Sequence, residues 1–201
     1  GVWKNDDEFV TNEQTKEYAV YKKQLGSPRY YDINHDGSLN QKDIVYLGNA
    51  DPILYGGLQN SFYRKGLKVG VFFVYSLGGS IYNVSELFMA GSTSTNQYRY
   101  MLNAWSERNP DSDLPRAGYY GIAAPSDFMV HDASYLRLQD LSFSYSVPLG
   151  SKVKKYISSL TLMMNASNVF LWKYYNGFDP DVSSEGKSST LRRIDLGAYP
   201  K

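Results

Sequence analysis

The sequence contains no cysteine and only two histidines, His35 and His131. The absence of cysteine excludes disulfide bridges and thiolate metal sites. A Ser-His-Asp hydrolase triad is a poor explanation of the chain, because no serine has nucleophile-elbow spacing and both histidines are interpreted as loop residues. We therefore expect no enzyme activity.

Long apolar runs and an excess of one charge are also missing. No stretch approaches the roughly 18 apolar residues of a membrane-spanning helix, and residues 1–5 lack the features of a signal peptide. The 21 basic and 20 acidic residues give a net charge of +1, and no basic stripe is interleaved with aromatic residues. Nucleic acid is therefore not an expected partner.

The chain is rich in tyrosine and in segments where apolar and polar residues alternate regularly. Of its 201 residues 15% are aromatic, 19 of them tyrosine. Four segments alternate between apolar and small polar side chains with a period of two, which predicts a mainly β fold of antiparallel strands. The predicted strands lie at about residues 53–64, 67–79, 134–147 and 159–172.

Two local features refine this strand prediction. A turn at Lys65 and Gly66 is expected to join the first two strands into a tight hairpin. In the third strand the apolar residues change parity near Asp140, which predicts a β-bulge. The same alternation is typical both of a water-filled barrel in lipid and of a soluble sandwich, so it does not separate them.

The remaining chain is interpreted as two long polar segments. Residues 1–52 are expected to hold a short exposed helix at residues 6–24 and an acidic loop. Residues 80–133 are expected to form a long loop with helical pieces at residues 83–90 and 97–108. Turn-forming residues dominate the stretch 109–116 of this loop.

The acidic loop has the spacing of a calcium-binding loop. Oxygen-bearing residues occupy positions 1, 3, 5, 7, 9 and 12, with Gly37 at position 6 for the sharp bend. The candidate calcium ligands are Asp32, Asn34, Asp36, Ser38 and Asp43, with Asn40 at the position often filled through water. Position 12 is the shorter aspartate, and His35 needs a left-handed backbone. The alternative is a metal-free loop held by Asx-turns.

Aromatic residues gather after the fourth predicted strand. Trp172 and Tyr174 are interpreted as an interfacial girdle, whereas Tyr175, Phe178 and Asp179 are the candidate ligand-contacting residues. Asp179 and Asp181 flank Pro180 and resemble a glycosidase acid and base pair, but the same residues make an ordinary turn, which is the preferred interpretation.

Three stretches are distinctive: residues 133–145 (ASYLRLQDLSFSY), 165–170 (NASNVF) and 177–181 (GFDPD). Together they resemble the C-terminal end of SusC/RagA-type TonB-linked outer-membrane proteins. The acidic loop, residues 49–60 with their paired glycines, residues 105–110 (WSERNP) and residues 114–117 (LPRA) add to the resemblance. Their order extends it over nearly the whole chain.

The resemblance implies a function that the chain does not perform alone. It implies residues 53–201 as strands of a large outer-membrane barrel, residues 1–52 as an outer-face segment, and nutrient uptake, with a glycan or peptide as substrate. The expected partners are a SusD-like surface lipoprotein and the TonB complex, the latter through an N-terminal part that is missing here. The family's last strand is also expected to be absent, because the chain ends at Lys201.

The same resemblance assigns sides to the loops. It places residues 1–52, 81–130 and 172–201 outside the cell and residues 65–66 and 148–158 in the periplasm, so that long loops lie outside and short turns inside.

The rival hypothesis is a soluble, calcium-stabilised carbohydrate-binding β module whose apolar faces pack together.

Overall fold

A computed structural model describes residues 1–4, 25–36, 40–91, 96–117, 126–182 and 192–197. The helix predicted at residues 6–24 lies outside these ranges, as do residues 37–39 of the acidic loop with the candidate ligand Ser38. The chain divides into two units. The first contains Gly1–Gly48, Tyr82–Val130 and Ile194–Gly197, and the second contains Asn49–Ile81, His131–Arg193 and Ala198–Lys201.

Most of the regular structure is β-strand, as the alternation predicts. The strands are β1 (Leu54–Arg64), β2 (Leu67–Leu77), β3 (Ser80–Asn83), β4 (Val130–Asp132), β5 (Tyr135–Ser146), β6 (Thr161–Lys173) and β7 (Ile194–Asp195). The α-helices are α1 (Ser85–Gly91) and α2 (Ser151–Lys154), and single 3₁₀ turns lie at Gln41–Asp43, Arg99–Asn103 and Asp127–Met129. No helix of the described ranges has the length and apolar character needed to cross a membrane.

Four of these strands form one antiparallel sheet with the order β1-β2-β5-β6. These strands fall at the four segments with period-two alternation, and the mainly β antiparallel fold is confirmed. Lys65 and Gly66 form the hairpin turn between β1 and β2, with φ angles of 48° and 83°. Positive φ at both central residues is typical of the turn whose twist matches a hairpin.

The strand register separates the side chains into two chemically different faces. Residues paired across strands share a face, because side chains alternate along each strand. The apolar face carries Leu54, Leu58, Phe62, Leu67, Val69, Val71, Phe73, Tyr75, Leu77, Leu136, Leu138, Leu141, Phe143, Tyr145, Leu162, Met164, Ala166, Phe170 and Trp172, together with Gly56, Asn60 and Arg64 of β1. The polar face includes Gln59, Ser61, Lys68, Ser76, Tyr135, Arg137, Asp140, Ser142, Ser144, Met163, Asn165, Ser167 and Lys173.

The bulge predicted near Asp140 is confirmed. On β2 the neighbouring residues Phe72 and Phe73 pair with Asp140 and Leu138, so that Gln139 is the extra residue of β5. The pairing of β5 with β6 shifts at the same place, next to Asn168 with a φ of 53°. Because one residue is left over, apolar side chains of both parities reach one face.

The first unit contains the long loop and a small aromatic core. Ala90, Met101, Ala104 and Met129 are buried together, with Tyr82, Tyr98, Tyr100 and Phe128 packed around them. The short strand β7 pairs in parallel with the second half of β3, through Tyr82 with Ile194 and Asn83 with Asp195. The helical piece expected at residues 83–90 corresponds to α1.

The helix expected at residues 97–108 is wrong, since the structure has only the 3₁₀ turn Arg99–Asn103 there. The backbone groups that would continue a helix bond elsewhere. The carbonyl of Asn103 accepts hydrogen bonds from the side chains of Asn109 (3.1 Å) and Ser112 (2.6 Å). The N–H of Trp105 donates to the carbonyl of Leu114 at 2.9 Å. Polar side chains that satisfy backbone groups locally compete with helix formation.

Candidate functional site

The acidic loop is organised around the carboxylate of Asp43. One oxygen accepts the backbone N–H of Ile33 at 2.9 Å and the other accepts the N–H of Asn40 at 2.8 Å. The Asn40 side chain in turn accepts the N–H of Lys42 at 2.9 Å, which completes a capping box around the turn. The N–H of Asn40, ahead of that of Ile33, lowers the pKa of Asp43 below its ordinary value.

The other half of the loop is held by asparagine and aspartate side chains. The N–H of Asp36 donates to Asn34 Oδ1 at 3.0 Å and, more weakly, to Asp32 Oδ1 at 3.3 Å. The Asn34 amide donates to Asp36 Oδ2 at 2.8 Å. His35 has a φ of 58°, the left-handed backbone that its place in the loop requires.

These contacts bear on the two alternatives for the loop. The oxygens of Asn34, Asp36 and Asp43 accept the loop's own hydrogen bonds, as the metal-free alternative requires. Within the described ranges no group of three acidic, histidine or cysteine side chains lies in an arrangement that could hold a metal ion. Calcium binding by this loop stays a prediction.

The aromatic segment after β6 contains the three candidate ligand-contacting residues in two different environments. Tyr175 and Asp179 are buried, at 2% and 3% exposure, whereas Phe178 is 70% exposed. Tyr175 packs with Ile81, Ala133 and Val182. The two buried side chains thus have structural contacts, and of the three Phe178 is the one open to a ligand.

Asp179 forms a buried ion pair with Arg137 of β5. The Arg137 Nη2 to Asp179 Oδ1 distance is 2.6 Å, and the two side chains are only 10% and 5% exposed. The same oxygen accepts the N–H of Asp181 at 2.9 Å, an Asx-turn, so residues 179–181 form the turn preferred over an acid and base pair. Lys173 adds hydrogen bonds to the carbonyls of Gly177 and Phe178, the latter at 3.0 Å.

Sequence reasoning missed the role of Arg137. Arg137 lies between Leu136 and Leu138 in a predicted strand. If such a charge is buried it needs a partner of opposite charge, so its position could have prompted a search for one. The partner lies 42 positions away, and the alternation gives the face of a residue but not its long-range neighbour.

The expected girdle residues are exposed, Trp172 at 62% and Tyr174 at 79%. Trp172 lies on the apolar face and its ring meets that of Phe170 edge-on, with centroids 4.7 Å apart. His131 belongs to the short strand β4 rather than to a loop, and its ring lies 5.8 Å from that of Tyr175.

Known proteins with similar sequences are large receptors. No family model matches the chain. TonB-dependent receptor P26 of Formosa agariphila is 26% identical over 208 residues, covering 100% of this chain and 20% of the receptor. TonB-dependent receptor P3 of the same organism is 30% identical over 179 residues, covering 87% of this chain and 18% of the receptor. The chain thus spans about a fifth of the length of these relatives.

Two solved transporter structures are also similar to this chain. The RagAB peptide transporter matches with a TM-score of 0.58 and 26% identity, covering 75% of this chain and 16% of the matched chain. The closed-closed state of the RagAB peptide importer matches with a TM-score of 0.62 at 23% identity, over 87% of this chain and 19% of the matched chain, which supports the fold. The names of these relatives describe receptors and transporters, in agreement with the expected lack of enzyme activity. These matches support a fragment of a SusC/RagA-type TonB-dependent receptor, and the curated relatives are outer-membrane proteins.

Proposed function

We propose that this chain supplies wall strands and outer loops to a TonB-dependent transporter that takes up oligosaccharides or other nutrients across the outer membrane. In this function the sheet β1-β2-β5-β6 is part of the barrel wall, with the apolar face toward lipid and the polar face toward the lumen. The parts that would couple it to TonB, and a SusD-like surface lipoprotein over the outer loops, belong to the proposal as partners.

The exposed apolar face is the observation that carries this proposal. Leu58 is 57% exposed, Phe62 64% and Met164 64%, although each lies within a regular strand. Moving such a side chain out of water is worth about 1.5–3 kcal/mol. A soluble sandwich would cover this face with a second sheet, whereas a barrel wall covers it with lipid.

The proposed orientation can be tested with two neighbouring methionines. Met163 and Met164 are adjacent in β6 but pair with Ser144 and Phe143, so they lie on the polar and the apolar face. Both are well exposed, at 74% and 64%. Met164→Arg in the full-length receptor should reduce assembly in the outer membrane, since arginine facing lipid costs about 2–4 kcal/mol at the bilayer centre and less toward either interface.

Met163→Arg is the matched control, because it makes the same chemical change on the other face. It should assemble at close to the wild-type level, measured as heat-modifiable, detergent-extracted receptor in isolated outer membranes. Equal effects of the two substitutions, or a stable monomer without detergent that binds glycan, would refute the barrel orientation and favour the soluble carbohydrate-binding module.

The substrate class requires a separate measurement. A strain lacking the full-length gene should lose uptake of one class from a panel of fluorescent neutral oligosaccharides and fluorescent peptides, and the wild-type gene should restore it. Unchanged uptake of both classes in the deletion strain would refute a role in the import of these nutrients.

A further inference from the structure

The segment after β6 returns onto the polar face of the sheet. We name residues 175–182 the strap. Arg137, on the polar face of β5, binds Asp179 of the strap at 2.6 Å. Lys173, on the polar face of β6, donates to the strap carbonyls of Gly177 and Phe178. Charged side chains of two adjacent strands therefore hold the strap from the same side of the sheet.

A second contact covers the same end of the polar face. Arg193 Nη2 donates to the hydroxyl of Ser76 in β2 at 2.9 Å. Ser76 pairs with Tyr135, and Tyr135 pairs with Lys173, so these residues lie in one row across the sheet. Segments from the end of the chain thus reach the polar face at β2, β5 and β6.

Burial along the polar face follows these contacts. At the end where β5 begins, Ser76 is 3% exposed, Tyr135 8% and Arg137 9%. Farther along the same face Met163 is 74% exposed, and Asn165 is also exposed. Asp140 and Ser142 of β5 are half-buried, so the polar face is buried at one end and more exposed beyond it.

The strap is a tightly packed element with one large exposed ring. A methyl group at Gly177 would overlap the ring of Tyr175, so this position has no room for a side chain. Asp179 is fixed by Arg137 and by the N–H of Asp181. Phe178 lies between these fixed residues and is 70% exposed.

We propose that the strap is a fixed constriction on the lumenal side of the barrel wall, latched by the Arg137–Asp179 ion pair, and that it presents Phe178 to passing cargo. This inference rests on the proposed transporter function, which makes the polar face lumenal. An exposed phenylalanine on that side has no lipid to contact, and its ring offers an apolar surface to a sugar ring or an apolar side chain. Trp172, on the apolar face, instead contacts lipid.

The first test locates the two aromatic positions. The chain has no cysteine, so Phe178→Cys and Trp172→Cys each introduce a single labelling site within it, once any cysteines elsewhere in the full-length receptor are replaced by serine. Each carries an NBD fluorophore in phosphatidylcholine vesicles. Nitroxide-labelled lipid should quench the label at position 172, and aqueous iodide should quench the label at position 178. Lipid quenching at position 178 equal to that at 172 would overturn the proposal.

The second test concerns the latch. Val182→Cys, a buried strap residue that packs with Tyr175, should react slowly with a membrane-impermeant sulfonated maleimide, and Asp179→Asn should speed this reaction at least tenfold. Ser142→Cys, farther along the polar face, is the control and should react at a rate that Asp179→Asn leaves unchanged. An unchanged rate at position 182 would overturn the latch.

A double variant keeps the result interpretable. If Asp179→Asn alone prevents assembly, Arg137→Gln combined with Asp179→Asn removes both charges and should still speed labelling at position 182, by a smaller factor than Asp179→Asn alone because no unpaired charge is left buried. Assembly in the outer membrane is scored in every variant. A receptor that assembles with a lipid-exposed position 178 contradicts the strap alone, whereas failure of the Met163 and Met164 comparison contradicts the proposed function.

Discussion

Removing one charge of the Arg137–Asp179 pair should be more damaging than removing both. The two side chains are 10% and 5% exposed, so either charge left alone would be largely shielded from water. Asp179→Asn leaves the guanidinium without its counter-charge, a change expected to cost about 3–5 kcal/mol, whereas the Arg137→Gln/Asp179→Asn pair should cost clearly less. At about 1.4 kcal/mol per tenfold change, the single substitution raises local opening about a hundredfold to a few thousandfold.

Thiol labelling at Val182→Cys measures this opening. Val182 is 5% exposed and packs against Tyr175, so it reacts only when the strap leaves the sheet. Under conditions in which closing is faster than labelling, the rate reports the opening equilibrium. The four proteins of the double-mutant cycle then give the coupling energy. A double variant that opens as much as the two single variants added together would refute the buried-pair argument.

The other predictions concern glycine, calcium and pH. Gly177→Ala should destabilise the strap by about 1–3 kcal/mol because its methyl group meets Tyr175, whereas Gly150→Ala, with nothing within 4 Å, should be neutral, and thermal unfolding in detergent compares them. Calcium should raise the melting temperature, and Asp36→Ala should abolish this increase. Equal melting temperatures with and without a chelator would refute calcium binding. Since the pKa of Asp43 is lowered, its stabilisation is complete above its unfolded pKa of about 3.9 and is lost as pH falls through the lower folded value. Hydrogen exchange at the Ile33 and Asn40 amides should show this loss, and Asp43→Asn should remove the pH dependence.

The sheet could be predicted from the sequence because the patterns that define it involve residues close together in the chain. Alternation defines each strand and its faces, and a parity change at Asp140 marks the bulge that the register shows. The hairpin likewise follows from the Lys65 and Gly66 turn. Each of these features depends on residues a few positions apart, and a single chain contains that information.

The features that were not predicted from the sequence depend on contacts that local spacing does not encode. The helix expected at residues 97–108 fails because Asn109 and Ser112 bind the carbonyl of Asn103, a choice that helical spacing does not encode. The burial of Asp179 follows from a contact with Arg137, far away in the chain. The acidic loop is intermediate, since its spacing predicts the turns that hold it but not whether a cation replaces their hydrogen bonds.

The bulge in β5 has a consequence for how such walls change length in evolution. Deleting one residue elsewhere in the strand would exchange the faces of the residues beyond it and move serines such as Ser142 to the apolar face. Deleting Gln139 would instead leave Leu136, Leu138 and Leu141 in one unbroken alternation, because Gln139 is the residue left unpaired. A one-residue deletion at the bulge therefore keeps the other side chains of β5 on their original faces.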